Sequence, residues 1–267
     1  MPDKLAMNDK LPANDWKQNI YFVLIETKEP GNIGASARAI KNMGFTNLCL
    51  VKPPPEMSEE GRWFARNAHD VLDSADKFDS VDEAIKDKAI VAGTSRRGGK
   101  RRGVTLNIEE GAARVRDAAE QGKVAVLFGR EARGLNNGEI DECGFMISIP
   151  SSEIQPSLNL SQAVLITAYE LSKCGPAREK EHSMQKKRFD NSSLLDELKA
   201  HEELAPLYDR IAHAMELLEY LPKGDRTLIE NMKANLRHFI GRAGITGREL
   251  NMLRGLCVQI EKKVGRK

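Results

Sequence analysis

Apolar residues come first in short unbroken runs and later at helical intervals. Ile20–Glu26 (IYFVLIE), Leu48–Val51, Ala89–Ala92, Val124–Phe128 (VAVLF) and Phe145–Ile149 are such runs. They are rich in β-branched and aromatic side chains, as expected of strands buried on both faces. Between them Gly34–Met43, Ser58–Val71, Val81–Lys86, Ile108–Glu120 and Leu158–Lys173 carry helical spacing. Asn107 is placed to cap the fourth of these helices, and Gly122 to end it. Strands alternating with helices predict an α/β fold, a parallel sheet covered by helices on both faces.

The pattern changes after Lys173. Gly175-Pro176 ends the helix, and residues 177–193 are polar and charged. Beyond them only the helical period remains. Leu204, Leu207, Ile211, Met215 and Leu218 share one face, as do Leu228, Met232, Leu236, Phe239 and Ile240. Thr246-Gly247-Arg248-Glu249 fits a capping box before a third seam of Leu250, Leu253, Cys257 and Ile260. The expected organisation is an N-terminal tail (1–19), an α/β domain (20–173), a linker (174–193) and a small helical module (194–267).

Composition narrows the class. The 267 residues are 40% hydrophobic and 30% charged, with 41 basic against 39 acidic residues. That is too apolar and too balanced for a disordered chain. The four cysteines lie far apart and form no C-x-x-C pair, so neither a zinc site nor a disulfide framework is expected. No apolar run reaches the roughly 18 residues of a membrane span. Met1–Lys17 has no signal-peptide core, so the cytoplasm is the expected compartment. The near-zero net charge hides an asymmetry. Residues 1–173 sum to −2, residues 174–267 to +4, and the stretch from Asp225 onward to +6. A basic tail of this kind suits an RNA partner.

Four stretches sit where predicted strands end. Gly31-Asn32-Ile33-Gly34 with Arg38 follows the first strand. It lacks the G-x-G-x-x-G spacing and the acidic residue of a dinucleotide site, and it is not a Walker loop. It reads equally as a ligand-facing turn or as a helix cap with a surface arginine. Leu127-Phe128-Gly129-Arg130-Glu131 runs a buried strand into a glycine that permits close approach; Arg130 and Glu131 either pair or form a solvated turn. In Pro156-Ser157-Leu158-Asn159-Leu160-Ser161, Ser157 is a candidate cap for the helix starting at Leu158; the stretch reads as ordinary capping or as a helix N-terminus that offers free N–H groups to a ligand. Finally, five of the seven residues 96–102 are basic, which suits a phosphate backbone or a solvated loop. No metal-ligating histidine pattern, nucleophile elbow or carboxylate pair is present.

Together and in order, these motifs resemble the SpoU branch of the SPOUT superfamily of S-adenosylmethionine-dependent RNA methyltransferases. The matching elements are Asn32, Gly34 and Arg38; then Leu127 to Glu131 with Gly134-Leu135; then Ile149-Pro150 with Ser157 to Ser161. Thr94-Ser95, the basic loop and the tail around Arg248-Glu249-Leu250 resemble the TrmJ-type members. These methylate the ribose 2′-hydroxyl of tRNA nucleotide 32. The resemblance implies a deep C-terminal trefoil knot and a homodimer with the active site near the subunit interface. It implies S-adenosylmethionine as cofactor, no metal, and tRNA or rRNA as substrate. The cofactor would be held by Thr94, Ser95, Arg96, Gly129, Ile149, Pro156, Ser157 and Leu158. Arg38, Asn32, Glu131 and Asn159 would be catalytic, and Arg97, Lys100, Arg101, Arg102 and Arg130 would contact RNA. Pro156 stands where the family often has serine. An arginine with a pKa above 12 is a poor literal base. Arg38 is therefore expected to grip a phosphate and stabilise the developing alkoxide, with Asn32 orienting the ribose or Arg38 and Glu131 holding an arginine, Arg130 among the candidates. An rRNA 2′-O-methyltransferase and a non-catalytic knotted RNA-binding protein are the alternatives.

Overall fold

The computed structural model describes residues 16–55, 58–96, 103–173, 197–220 and 226–264. The predicted linker and the basic residues Arg97, Lys100, Arg101 and Arg102 lie outside them, as does most of the predicted tail. Seven strands form one sheet: β1 (Ile20–Ile25), β2 (Asn47–Val51), β3 (Asp76–Phe78), β4 (Ile90–Thr94), β5 (Thr105–Asn107), β6 (Val124–Phe128) and β7 (Phe145–Ser148). Every pairing is parallel and the order is β3-β2-β1-β6-β4-β7-β5. The chain leaves β1 toward β2 and leaves β6 toward β7, in opposite directions along the sheet. Such a switch point opens a crevice at the carboxyl ends of the two strands.

Both faces are covered, as the unbroken apolar runs require. Ile20, Phe22 and Leu24 point to one core with α1 (Pro30–Asn42), α2 (Glu59–Ala65), α3 (His69–Asp73), α5 (Ile108–Ala119) and α7 (Leu160–Lys173). Val23 and Ile25 point to a second, thinner core under α4 (Val81–Ile85) and α6 (Asn137–Asp141). Asn107 caps α5 by accepting from the Glu110 N–H at 2.8 Å. Three departures from the sequence reading have local causes. The expected helix over 58–71 breaks at Arg66, whose φ of 48° cannot continue a right-handed helix. β3, β5 and α6 are three to five residues long, too short to show a period. The last helix of the domain starts at Leu160 rather than Leu158, and Asn159 rather than Ser157 caps it: Asn159 Oδ1 accepts from the Ser161 N–H at 2.8 Å.

Three further helices, α8 (His201–Leu217), α9 (Arg226–Gly241) and α10 (Gly247–Val264), share a core of Leu204, Leu207, Tyr208, Ile240, Ile245 and Leu250. The predicted Thr246–Glu249 capping box is present. Leu218, Leu228 and Phe239, expected on apolar seams, are exposed instead. This bundle docks on the edge where the central strands begin. The His201 N–H donates to Lys88 O at 2.8 Å, and the Leu198 N–H to Gln121 O at 3.3 Å. Gly144 and Gly241 touch so closely that a Cβ on Gly144 would lie 2.0 Å from Gly241 O.

Candidate active site

The site lies at the opposite edge, where strands end. A cavity of about 420 Å³ opens there between the chain leaving β4, the loop after β6 and the segment from β7 to α7. Its size is within the usual ~300–1,000 Å³ of small-molecule sites. All eight residues expected to hold a cofactor line it: Thr94, Ser95, Arg96, Gly129, Ile149, Pro156, Ser157 and Leu158. Glu131 and Arg130 line it as well. Thr94 donates its hydroxyl to Leu127 O at 2.9 Å, and the Ser95 N–H donates to Ile147 O at 2.9 Å, so neighbouring strands fix both residues. Ser151 Oγ donates to Pro156 O at 2.9 Å and closes the loop entering α7.

Glycine is needed at two of these points for different reasons. A Cβ on Gly129 would lie 2.1 Å from the Gly134 carbonyl carbon, because the loop folds back on itself there. The Gly134 N–H donates to Arg130 O at 2.8 Å, and Gly134 has φ 68°. Gly34 serves packing instead: a Cβ there would lie 1.9 Å from Gly61 O, where α1 crosses α2. The first motif is thus no free turn but the first turns of α1, with Pro30 at its start.

Three of the four expected catalytic residues meet in one chain of hydrogen bonds. Asn159 Nδ2 donates to Asn32 Oδ1 at 2.9 Å, and Asn32 Nδ2 donates to Glu131 Oε1 at 3.2 Å. Arg38 is not part of it. It is exposed on α1, on the stripe of Gly34 and Lys41, and does not line the cavity.

Glu131 does not hold Arg130, contrary to the sequence reading; its carboxylate is taken by Asn32. Arg130 is gripped from two other sides. Its Nε and Nη2 donate to the Glu26 carboxylate at 2.8 and 2.7 Å, and its Nη1 donates to Glu139 at 3.1 Å. Glu139 is buried and also closes a capping box with Asn136. The hydrogen bond from Arg130 holds the Glu26 carboxyl below the usual carboxylate range, and the same two carboxylates raise the arginine further. A guanidinium so occupied serves the loop, and the expected RNA contact by Arg130 competes with this clamp. Glu26 and Glu139 escaped the sequence reading. The available signal was a glutamate and an arginine at the ends of β1 and β6, strands that lie side by side.

The motif order, the parallel sheet and this edge-built cavity all point the same way, and a family model of the SpoU rRNA methylase family matches residues 19–169. The chain belongs to the SpoU methylase family. Among its relatives, a tRNA (cytidine/uridine/adenosine-2′-O-)-methyltransferase TrmJ of Pseudomonas aeruginosa is 35% identical over 91% of this chain and 94% of that protein. An uncharacterized tRNA/rRNA methyltransferase of Haemophilus influenzae is 33% identical over 92% and 96%. The crystal structure of TrmJ from Z. mobilis ZM4 matches with a TM-score of 0.71, at 27% identity, over 90% of this chain and 98% of that one. These matches run through the SpoU domain into the helical bundle.

Proposed function

We propose that this SpoU-family protein is an S-adenosylmethionine-dependent tRNA ribose 2′-O-methyltransferase. It acts in the cytoplasm, as a homodimer, on the cytidine or uridine at anticodon-loop nucleotide 32. The observation that carries this reading is the convergence of Thr94, Ser95, Arg96, Gly129, Ile149, Pro156, Ser157 and Leu158 on one cavity beside the Asn159–Asn32–Glu131 chain. The names of the TrmJ relatives, which specify a tRNA 2′-O-methyltransferase, support it.

The cavity suits the cofactor. Phe128, Leu135, Ile149 and Leu158 offer apolar walls for a purine, and Thr94, Ser95 and Glu131 offer polar groups for its charged end. The bound cofactor supplies a methyl group already activated on a sulfonium. The chain's own work is therefore on the acceptor. The Asn159–Asn32–Glu131 hydrogen bonds lock the Asn32 amide so that it orients the ribose. Holding the acceptor hydroxyl in a fixed reactive orientation supplies much of the rate. Arg38 grips the adjoining phosphate and stabilises the alkoxide that develops at the 2′-oxygen. The hydroxyl proton passes to a phosphate oxygen or water, since the guanidinium is already protonated.

Arg38 does not line its own chain's cavity, which supports completion of the site by a second copy. The outer face of α7, a helix that packs on α1, leaves Leu165 and Tyr169 exposed as an apolar surface for that copy. The strand order, with β6 threaded between β1 and β4 and β7 between β4 and β5, suits a knotted C-terminal part of the sheet domain. We assign the helical module of residues 194–267 as an accessory RNA-binding module. The test is transfer of tritium from labelled cofactor to unmodified tRNA and to rRNA, with mass-spectrometric mapping of the product. A 2′-O-methyl group at nucleotide 32 is expected. Label in rRNA alone overturns the substrate, and cofactor binding without transfer overturns the activity.

A further inference from the structure

The break after α2 leaves two unusual groups beside the first motif. Arg66 has φ 48° and ψ −120°, a conformation that costs an ordinary residue about 1–3 kcal/mol and persists only where the surroundings impose it. Its guanidinium carbon lies 5.0 Å from the centre of the Trp63 ring. Trp63 is 61% exposed, an unusual state for the largest apolar side chain, and it meets Phe64 edge-on at 5.0 Å. Phe64 in turn reaches the start of α1: a Cβ on Gly31 would lie 3.2 Å from its ring. Trp63 is thus two contacts from Asn32's neighbour.

Charge sorts this surface. Arg62 is spent on Asp73 and Lys41 on Asp70. Arg66 and Arg38 have no carboxylate partner among the described residues. On α1, Arg38 sits between Gly34, which touches Gly61 and Ala65, and Lys41, whose ammonium donates to Asn67 O at 2.8 Å. Arg38 therefore lies on the face of α1 that meets the 61–67 segment, which carries Trp63 and Arg66. Glu59 and Glu60 lie one turn before Trp63 and repel phosphate, which leaves the Arg66 side the favourable one for an anionic backbone. A large exposed ring capped by an unpaired arginine suits an unstacked nucleobase with its phosphate.

We propose that Trp63 and Arg66 form a platform for a single-stranded RNA nucleotide next to the target ribose: Trp63 stacks the base and Arg66 holds its phosphate. The inference rests on the RNA methyltransferase reading and extends it to a contact that none of the motifs contains. The experiment measures binding of an unmodified tRNA transcript to the full-length protein at several salt concentrations, with Trp63→Ala, Trp63→Phe and Arg66→Gly. Glycine removes the charge and tolerates the positive φ. Trp63→Ala should weaken tRNA binding at least about 5-fold and Trp63→Phe under about 3-fold, as stacking requires. Arg66→Gly should lower the slope of log affinity against log salt by about 0.7, the loss of one phosphate contact. Cofactor affinity and sedimentation mass should not change. Unchanged tRNA affinity in Trp63→Ala and Arg66→Gly overturns the platform. So does a fall in sedimentation mass in Trp63→Ala, which would assign the ring to a protein interface. Wild-type protein that binds tRNA yet transfers no methyl group overturns the enzyme reading and leaves these binding outcomes to decide the platform separately.

Discussion

Replacing Arg130 by methionine removes the guanidinium while keeping most of the side-chain volume. Three charge-assisted hydrogen bonds, two of them short, disappear, and the carboxylate of Glu139 is left buried without its cation. Losing one partner of a fully buried pair costs about 3–5 kcal/mol. Here the arginine and Glu26 side chains are 21% and 38% exposed, so water screens part of the loss. About 2–3 kcal/mol is the reasonable figure, which for a chain of this size lowers Tm by roughly 4–10 °C. Differential scanning calorimetry reads that shift directly. The linked effect is on the cavity: with Arg130 released, the loop from Gly129 to Gly134 loses its anchor, and cofactor affinity by titration calorimetry should fall about 10-fold. The pH dependence has a definite sign. The Glu26 carboxyl is held below its ordinary value, so its contribution is complete above about pH 4.3 and is lost as pH falls through the depressed folded value. The gap between wild type and variant should narrow on acidification and stay constant from pH 6 to 8. A variant within 1 °C of wild type in Tm, with unchanged cofactor affinity, refutes the clamp.

Arg38→Ala should abolish methyl transfer and leave cofactor affinity within about 2-fold, because Arg38 does not line the cavity; near-normal turnover would remove it from the mechanism. Gly129→Ala puts a methyl 2.1 Å from the Gly134 carbonyl carbon, so cofactor binding measured by calorimetry should be lost while the far-UV spectrum is retained. Glu142 joins the helical bundle to the sheet domain through His201 at 2.9 Å and Arg237 at 3.4 Å. Burial alone would raise its carboxyl, but the hydrogen bond from His201 and the charge of Arg237 lower it. Glu142→Gln should therefore loosen the bundle near neutral pH, seen as faster proteolysis between the bundle and the sheet. The difference from wild type should shrink as pH falls through the lowered carboxyl value.

The long elements were legible because their burial leaves a period in the chain. β1 and β6 are apolar at every position since both faces are covered, and α8 shows its seam because one face only is buried. β3, β5 and α6 carry no such trace: three to five residues at a sheet edge or on a thin layer hold too few buried positions. That the four motif stretches would meet at one edge followed from topology, since in a parallel sheet every strand delivers its last residue to the same edge; the cofactor assigned to them came from the family resemblance alone. Partnerships within that edge did not. Whether Glu131 meets Arg130 or Asn32 depends on which neighbours β1 and β6 have, and sequence order does not contain strand order. The Glu26–Arg130 pair, 104 residues apart, is a direct product of the β1–β6 register.

The cavity and the helical bundle occupy opposite edges of the same sheet, and that separation is a length. The strands between them run four to six residues, which at about 3.3 Å per residue is a rigid span of roughly 13–20 Å. A nucleic acid that touches both the bundle and the cavity of one chain must bridge at least this distance. The sheet is then a spacer as well as a scaffold. It would favour a folded RNA with a loop at one end and a stem to grip behind it over a short oligonucleotide of identical loop sequence. Selection of the substrate by its dimensions needs no base contact at all, and it is set by the number of residues in a strand.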